Sequence, residues 1–477
     1  MPLQEVGQVV VDWIPPHFPM QARMDGRYVC LEPLVAKRHS QALFDAFAED
    51  RSGRNWTYRL QDPFETLADF QAWLGAIEAG TDPLYFAYVD KETGLAAGMG
   101  AFMTIAPAAG SIEIGSIMLA PVMQGRRSAT EAHFLMIDWA FGAGYRRCEW
   151  TCDALNAASI AAAHRLGFSY EALFRQAKVY KGRNRDEAIL SILDHEWPAR
   201  RAAIDAWLAP GNFGEDGTQQ SRLSSLTAPM LAARSKPFSS AINNPLGQPV
   251  SAPVPEWTIP PRPGPMTLSG RTCRLEPLNA GHAPDLFKAF SADGEGSLWT
   301  YMPNGPFGDL AGYRAWLDDA AAQSDPLQFA ILVDERPVGT ASFLRIDPSA
   351  GSIEVGYITY SPELQRTPAA TETMFLMMKW AFDAGYRRYE WKCNALNAPS
   401  RRAAKRLGFT YEGTFRQALV VKGHNRDSAW FAITDAEWRL LRPAFERWLD
   451  ASNFNADGTQ KTALSTLTAD ALAARRH

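Results

Sequence analysis

The chain predicts two tandem α+β domains, each a mixed, mostly antiparallel central sheet flanked by helices. Three observations carry that reading. The first is a duplication: Gly385 to Phe409 (GYRRYEWKCNALNAPSRRAAKRLGF) nearly repeats Gly144 to Phe168 (GYRRCEWTCDALNAASIAAAHRLGF), with 18 of 25 positions identical, a displacement far too long for a solenoid. The second is length, since 477 residues exceed one ordinary core and suit two domains of about 200 residues with a connector. The third is order within each copy: runs of two-residue alternation typical of strands, then apolar residues at helical spacing.

Each element has its signal. Tyr28 to Pro33 and Thr272 to Pro277 begin the two sheets, and each is followed by a helix, Lys37 to Glu49 and Gly281 to Ala292. Matched aromatic loops come next, Asn55-Trp56-Thr57-Tyr58 and Leu298-Trp299-Thr300-Tyr301, then helices over Glu65 to Ala79 and Leu310 to Ala322. Three strands follow with short polar turns, as in an antiparallel meander: Leu84 to Asp90, Ala96 to Ile105 and Ser111 to Leu119. Their partners are Leu327 to Asp334, Val338 to Ile346 and Ser352 to Tyr360. A loop past Pro121 or Pro362 leads into an amphipathic helix, Thr130 to Phe141 or Thr371 to Phe382. In the repeated stretch, Tyr389, Trp391 and Cys393 alternate with Glu390 and Lys392, Ser400 to Leu407 is helical, and Gly408 breaks the helix. A hairpin closes each copy, Phe174 to Lys181 with Arg185 to Leu193 and Phe415 to Lys422 with Arg426 to Ile433. Terminal helices carry Trp207 or Trp448, and the repeated Asn-Phe-x-x-Asp-Gly-Thr-Gln tails suggest an ordered surface element.

Domain 1 is expected over 1–234 and domain 2 over 266–477. Between them, 235–265 is rich in Pro, Ser and Asn, cannot bury enough apolar area for a core, and reads as an extended linker. Such a connector lets the halves dock as an intramolecular pseudo-dimer.

Composition narrows function. A formal net charge of −4 offers no basic face for a phosphate backbone, which argues against nucleic acid. Five cysteines without CxxC or metal-ligand spacing argue for reduced thiols, a cytoplasmic setting and no metal. The N-terminus lacks a basic segment followed by an apolar core, and no window reaches the roughly 18 apolar residues of a membrane span, so secretion and membrane insertion are disfavoured.

The Asn-x-x-Ser followed by Gly-Phe, as Asn156, Ser159, Gly167 and Phe168 and again as Asn397, Ser400, Gly408 and Phe409, resembles the acetyl-CoA-handling end of the GNAT N-acetyltransferases, particularly the RimJ/RimL-like branch. The resemblance covers most of both halves and implies two GNAT-like domains using acetyl-CoA as cosubstrate. It implies a diphosphate seat where the fourth main strand leads into the amphipathic helix, because free backbone N–H groups and the helix dipole favour an anion. The family's Gln/Arg-x-x-Gly-x-Gly/Ala is here Gln124-Gly-Arg-Arg-Ser-Ala129 and Gln365-Arg-Thr-Pro-Ala-Ala370, with Arg127 and Pro368 in place of a glycine. Pro368 donates no N–H; Arg126 and Arg366 could supply side-chain contacts instead. Candidate cofactor contacts are thus Gln124, Arg126, Ser128, Ala129 and Asn156 in one half, and Gln365, Arg366, Thr367, Ala369, Ala370 and Asn397 in the other. Arg401 and Arg402, with Lys405, add positive charge that suits phosphates and favours the second half as the better binder; the alternative is a solvated helix face.

An N-acetyltransferase must present a neutral amine, stabilise a tetrahedral oxyanion and protonate a departing thiolate. The resemblance gives Glu113 (Ser-Ile-Glu-Ile-Gly) and Glu354 (Ser-Ile-Glu-Val-Gly) as bases, against the alternative of an exposed or salt-bridged strand Glu. Ser159 and Ser400 would protonate the thiolate, though either could simply cap its helix. The family's further Glu is Lys178 and Leu419 here, with Glu171 and Glu412 as weaker substitutes. Backbone N–H groups near Ile117 and Ile358 would polarise the thioester carbonyl if the sheet splays there. Trp56, Tyr58, Trp299 and Tyr301 would line the acceptor pocket or else roof the core. The implied acceptor is a primary amine, either a protein N-terminus or a small molecule. The alternative is a catalytically weak or inactive CoA-binding sensor or scaffold in one or both halves.

Overall fold

The computed structural model describes residues 4–20, 22–215, 217–238 and 242–474. The first half opens with β1 (Met24–Asp25), β2 (Val29–Pro33), α1 (Ala36–Ala48), α2 (Leu67–Glu78), β3 (Leu84–Asp90), β4 (Ala96–Ala106) and β5 (Ser111–Leu119). It continues with α3 (Arg127–Gly142), β6 (Arg147–Asp153), α4 (Ala157–Leu166), β7 (Ser169–Tyr180), β8 (Arg183–Leu193), α5 (Trp197–Leu208) and α6 (Leu223–Thr227). The second half repeats this order: β9 (Leu268–Ser269), β10 (Arg274–Pro277), α7 (Ala283–Ser291), α8 (Leu310–Ala321), β11 (Leu327–Val333), β12 (Arg336–Asp347) and β13 (Ser352–Tyr360). Then come α9 (Pro368–Asp383), β14 (Arg388–Asn394), α10 (Ala398–Arg406), β15 (Thr410–Val421), β16 (His424–Thr434), α11 (Asp435–Leu449) and α12 (Leu464–Ala473).

All sixteen strands form one sheet, ordered β1-β2-β3-β4-β5-β6-β8-β7-β15-β16-β14-β13-β12-β11-β10-β9. Among the described residues one neighbouring pair in each half is parallel, β5 with β6 and β13 with β14. The halves join where β7 meets β15 at Ala172 and Gly413. A Cβ on Gly413 would stand 2.2 Å from the Glu171 carbonyl oxygen, so only glycine allows this approach.

Buried ion pairs hold the seam in a near-twofold pattern. Arg147 reaches across to the Arg416 carbonyl (2.8 Å), and Arg388 to the Arg175 carbonyl (2.7 Å). Arg147 pairs with Glu149 and Glu171, and Arg388 with Glu390 and Glu412. Arg416 binds Glu171 and Glu196 while Arg175 binds Glu412 and Glu437. Glu171 and Glu412 are therefore structural anions of the seam, not substitute bases, because two arginines engage each of them. The rings of Phe174 and Phe415 stack between the halves, centroids 5.4 Å apart.

Helix ends follow local chemistry. The Asn156 and Asn397 side chains accept from the Ser159 and Ser400 amides, 3.1 and 3.0 Å away, and so start α4 and α10. Gly167 and Gly408 then take left-handed backbone, φ 96° and 88°. Sequence patterning gives no sign of how α3 and α9 are pinned. Glu131 accepts the amides of Arg27, Tyr28 and Val29 before β2, and Glu372 those of Arg271 and Thr272 before β10. Among the described residues of the repeated tails, Trp207 bonds Gln219 (2.9 Å) and Trp448 bonds Gln460 (2.8 Å).

The lead-in segments cross between halves. Upstream of Trp13, Val10 donates to the Gly423 carbonyl and Asn425 to that of Gln8, so the first half's arm lies on the second half's hairpin. Upstream of Trp257, Asn184 donates to the Ala252 carbonyl and Val254 to that of Gly182. Each half is flanked by the other's arm.

Among the described residues no helix is long and apolar enough to cross a membrane. The five cysteines are free and buried.

Candidate active site

The two parallel strands in each half part company. β5 and β6 pair only at Ser111 with Arg147, Ile112 with Cys148 and Glu113 with Glu149. β13 and β14 pair from Ser352 with Arg388 to Val355 with Trp391, and no further. Beyond these points each sheet opens as a wedge. Bulges mark the opening: Ser116 and Tyr357 have φ of 50° and 48°, and the β4–β5 register shifts there. Ile117 and Ile358 follow directly on these positive-φ residues.

Glu113 is buried at the root of the first wedge, where Thr104 donates to its carboxylate at 3.0 Å. Burial, then the neighbouring Glu149 and Glu187, push its pKa up to about 7. Glu354 is also buried, but Arg345 stands where Thr104 stood, its Nε 3.2 Å from the carboxylate. Burial raises Glu354, and Lys392 and Arg345 oppose that rise. Burial in turn pushes Lys392 down to about 8, and its Nζ lies 5.0 Å from the Trp430 ring centroid. Neither glutamate is an exposed strand residue.

Ser159 and Ser400 lie across the sheet from the glutamates. Their hydroxyl oxygens accept from the indoles of Trp150 and Trp391, each at 3.0 Å. Trp391 alternates with Glu390 on β14, and Glu354 is in register with Glu390, so Glu354 and Ser400 occupy opposite faces and no hydrogen bond joins them. A hydroxyl that accepts from an indole still has its own proton to donate. Cys152 beside Ser159 is a buried thiol pushed up to about 12, with no nucleophilic character.

The loops ahead of α3 and α9 keep one conformation with different chemistry. Gln124 and Gln365 anchor them on the carbonyls of Leu119 and Tyr360, both at 3.0 Å. Gly125 and Arg366 occupy the same left-handed turn, φ 72° and 64°. α3 then begins with no side-chain cap, leaving Ser128 and Ala129 in an uncapped first turn. α9 begins with Pro368, and Thr367 caps the Ala370 amide at 3.2 Å, ahead of any phosphate. Ala369 is buried in this turn, while Arg126 and Arg366 are exposed. Arg127 turns away to cover the rings of Tyr28 and Phe213. Arg401 donates to the Ala395 carbonyl (3.1 Å), and Arg402 and Lys405 are exposed.

One pair escaped the sequence reading. Arg165 binds Thr130 and covers Trp207, and Arg406 binds Thr371 and covers Trp448, tying together the two helices that frame each wedge. The signal was present in the identical Arg-Leu-Gly-Phe of both copies.

The aromatic pairs of the two loops separate. Trp56 and Trp299 are buried against Phe47 and Phe64, and against Phe290 and Phe307, so they roof the core instead of lining the cleft. Their large apolar faces favour burial, and their carbonyls hold Lys181 and Lys422. Tyr58 and Tyr301 do border the wedge. Tyr58 Oη donates to the carbonyls of Leu155 (3.2 Å) and Pro249 (2.8 Å), and Tyr301 Oη to those of Leu396 (3.3 Å) and Glu5 (2.7 Å). Each tyrosine thus touches its own wedge and the opposite half's arm. In the second half, Val6, Gly7, Thr300, Tyr301, Lys422 and Arg426 help line a cavity of about 120 Å³.

A family model described as an acetyltransferase (GNAT) domain matches residues 29–169 and again 273–410. These stretches make up more than half of the chain, which therefore belongs to the GNAT acetyltransferases and carries that domain twice. Among solved structures it is similar to a GCN5-related N-acetyltransferase from Brucella melitensis, at 44% identity over 46% of this chain and 100% of that one, with TM-score 0.45. A GNAT-family protein from Chromobacterium violaceum is 40% identical over 42% of this chain and 100% of that one, TM-score 0.39. A Salmonella typhimurium acetyltransferase described as modifying the N-terminal serine of ribosomal protein L7/L12 is 20% identical over 35% of this chain and 99% of that one, TM-score 0.32. A search of curated proteins finds no match.

Proposed function

We propose that the chain transfers the acetyl group of acetyl-CoA to a primary amine, by direct attack in a ternary complex. The wedge in each half supports this most, because it gives a thioester a passage between a buried carboxylate and a serine on the far face. Glu113 or Glu354 takes the amine proton as the C–N bond forms. Backbone N–H groups at Ile117 or Ile358 meet the oxyanion. The C–S bond then breaks, and Ser159 or Ser400 passes a proton to the thiolate and takes one back from solvent. The diphosphate sits against the first turns of α3 and α9. The acceptor is a small-molecule amine or a protein N-terminus, met in the cytoplasm, and the two halves, with domains over 1–234 and 266–477, work as an intramolecular pair.

One observation favours a second reading for the second half alone, that it binds CoA weakly or serves as a scaffold: Pro368 and the Thr367 cap remove two phosphate donors there. Thiol release with acetyl-CoA and a panel of amines tests both readings. Ser159→Ala is expected to lower the first half's acceptor-dependent kcat by roughly 10²-fold while calorimetric acetyl-CoA affinity holds. Acetyl-CoA binding with no acceptor-dependent release by either half would replace transfer with the scaffold.

A further inference from the structure

The loop that straddles the wedge differs between halves at one position. Tyr58 and Tyr301 are matched, but the next residue is Arg59 in the first half and Met302 in the second. Arg59 Nη2 donates to the Ser116 carbonyl at 3.1 Å, on the bulge where β5 leaves β6. Its neighbour Tyr58 holds the opposite lip at Leu155, and Tyr85 Oη lies 3.2 Å from Ser116 Oγ. The guanidinium is thus fixed at the acceptor mouth, on the strand that carries Glu113.

Arg59 has no counter-ion. Among the described residues no carboxylate lies within ion-pair distance of it, whereas the nearby Lys181 pairs with Asp62 and Arg185 with Glu187. Burial pushes the Arg59 pKa down to about 10; Tyr85 opposes that drop and Arg185 adds to it. The Ser116 carbonyl occupies one of its five N–H donors, which leaves a forked face of the kind that matches a carboxylate. A cation left unpaired in a partly dry cleft is destabilising by itself and is compensated when an anionic ligand arrives.

We infer that the first half takes amines bearing a carboxylate, with Arg59 as the anchoring residue, and that the second half, with Met302, does not select for that charge. This rests on the acceptor reading of the wedge given above. It assigns the halves different substrates within one reaction. The carboxylate could belong to a free amino acid or to an acidic residue at a peptide N-terminus, and the two sources share this chemistry.

Calorimetry on the full chain tests it with two matched probe pairs, β-alanine against β-alaninamide, and tripeptide amides beginning Asp against Asn. A carboxylate probe is expected to bind about tenfold or more tightly than its carboxamide, and Arg59→Met to erase that difference while Arg59→Lys keeps part of it. Whichever pair shows the effect identifies the source. Should melting reveal Arg59→Met to be misfolded, Arg59→Gln replaces it. Equal binding of both members of each pair, no binding of either carboxylate probe, or an undiminished preference in Arg59→Met would overturn the inference. Thiol release from acetyl-CoA is read separately, so a chain that binds the carboxylate probes but acetylates nothing would defeat the transfer reading and leave the Arg59 site standing.

Discussion

The two halves share a fold and a wedge, yet the same strand glutamate sits in opposite company. Glu113 meets Thr104, Glu149 and Glu187, with burial dominant; Glu354 meets Arg345 and Lys392 beneath the Trp430 ring. Ile189 takes the place of Trp430 in the first half, and Thr151 that of Lys392. Identical backbone geometry therefore supports two electrostatic settings, one that leaves a carboxylate to titrate near neutrality and one that surrounds it with cations. Geometry alone does not fix the chemistry of a site.

The sharpest way to break this comparison is to remove each carboxylate. Glu113→Gln is expected to cost roughly 10²- to 10⁴-fold in the first half's kcat/KM, and to abolish the part of the pH–rate profile that rises through about 7; Glu354→Gln leaves that limb in place. The sign follows from the base, which works only when ionised. Stability moves the other way. The folded pKa lies above the ordinary 4.5, so the native state holds its proton more tightly, and ionising Glu113 costs stability as pH climbs from 4.5 through 7. Glu113→Gln should then gain on the unsubstituted protein between pH 5 and pH 8, by on the order of 2–3 kcal/mol in denaturant titrations. An unchanged difference at the two pH values would refute the shifted carboxylate.

At the seam the halves should behave alike. Arg147→Met and Arg388→Met each remove the arginine partner of a same-strand glutamate (Glu149 or Glu390) and one of the two arginines on Glu171 or Glu412, and each is expected to destabilise the chain by about 3–5 kcal/mol, seen as matched losses in chemical denaturation. A large inequality would mean that the near-twofold pattern conceals different packing. The smallest effect concerns the phosphate loop. Pro368→Gly restores one amide, and acetyl-CoA affinity in calorimetry is expected to improve a few-fold, about the worth of one hydrogen bond; no change would place the diphosphate elsewhere.

Much of this architecture was legible. The spans of β3, β5 and β13 agree with those expected at both ends, because short polar turns bound each run. The Asn-x-x-Ser caps were equally visible, since a cap is a local event. What stayed hidden is non-local. The crossed arms are held by backbone groups of Val10, Asn425, Asn184 and Val254, which any sequence could supply. The seam took Glu171 and Glu412, whose partners Arg416 and Arg175, respectively, lie more than two hundred residues away. Burial of Trp56 and Trp299 was likewise a matter of neighbours brought by α1 and α7, not of the residues themselves.

The covalent joining of two such lobes has a genetic consequence. In an assembly of two identical chains, any replacement at one cleft is forced on the other, so a cation at the mouth must appear in both or neither. Once both lobes are encoded in one reading frame, Arg59 can exist opposite Met302, and a single molecule can keep two diverging specificities under one roof.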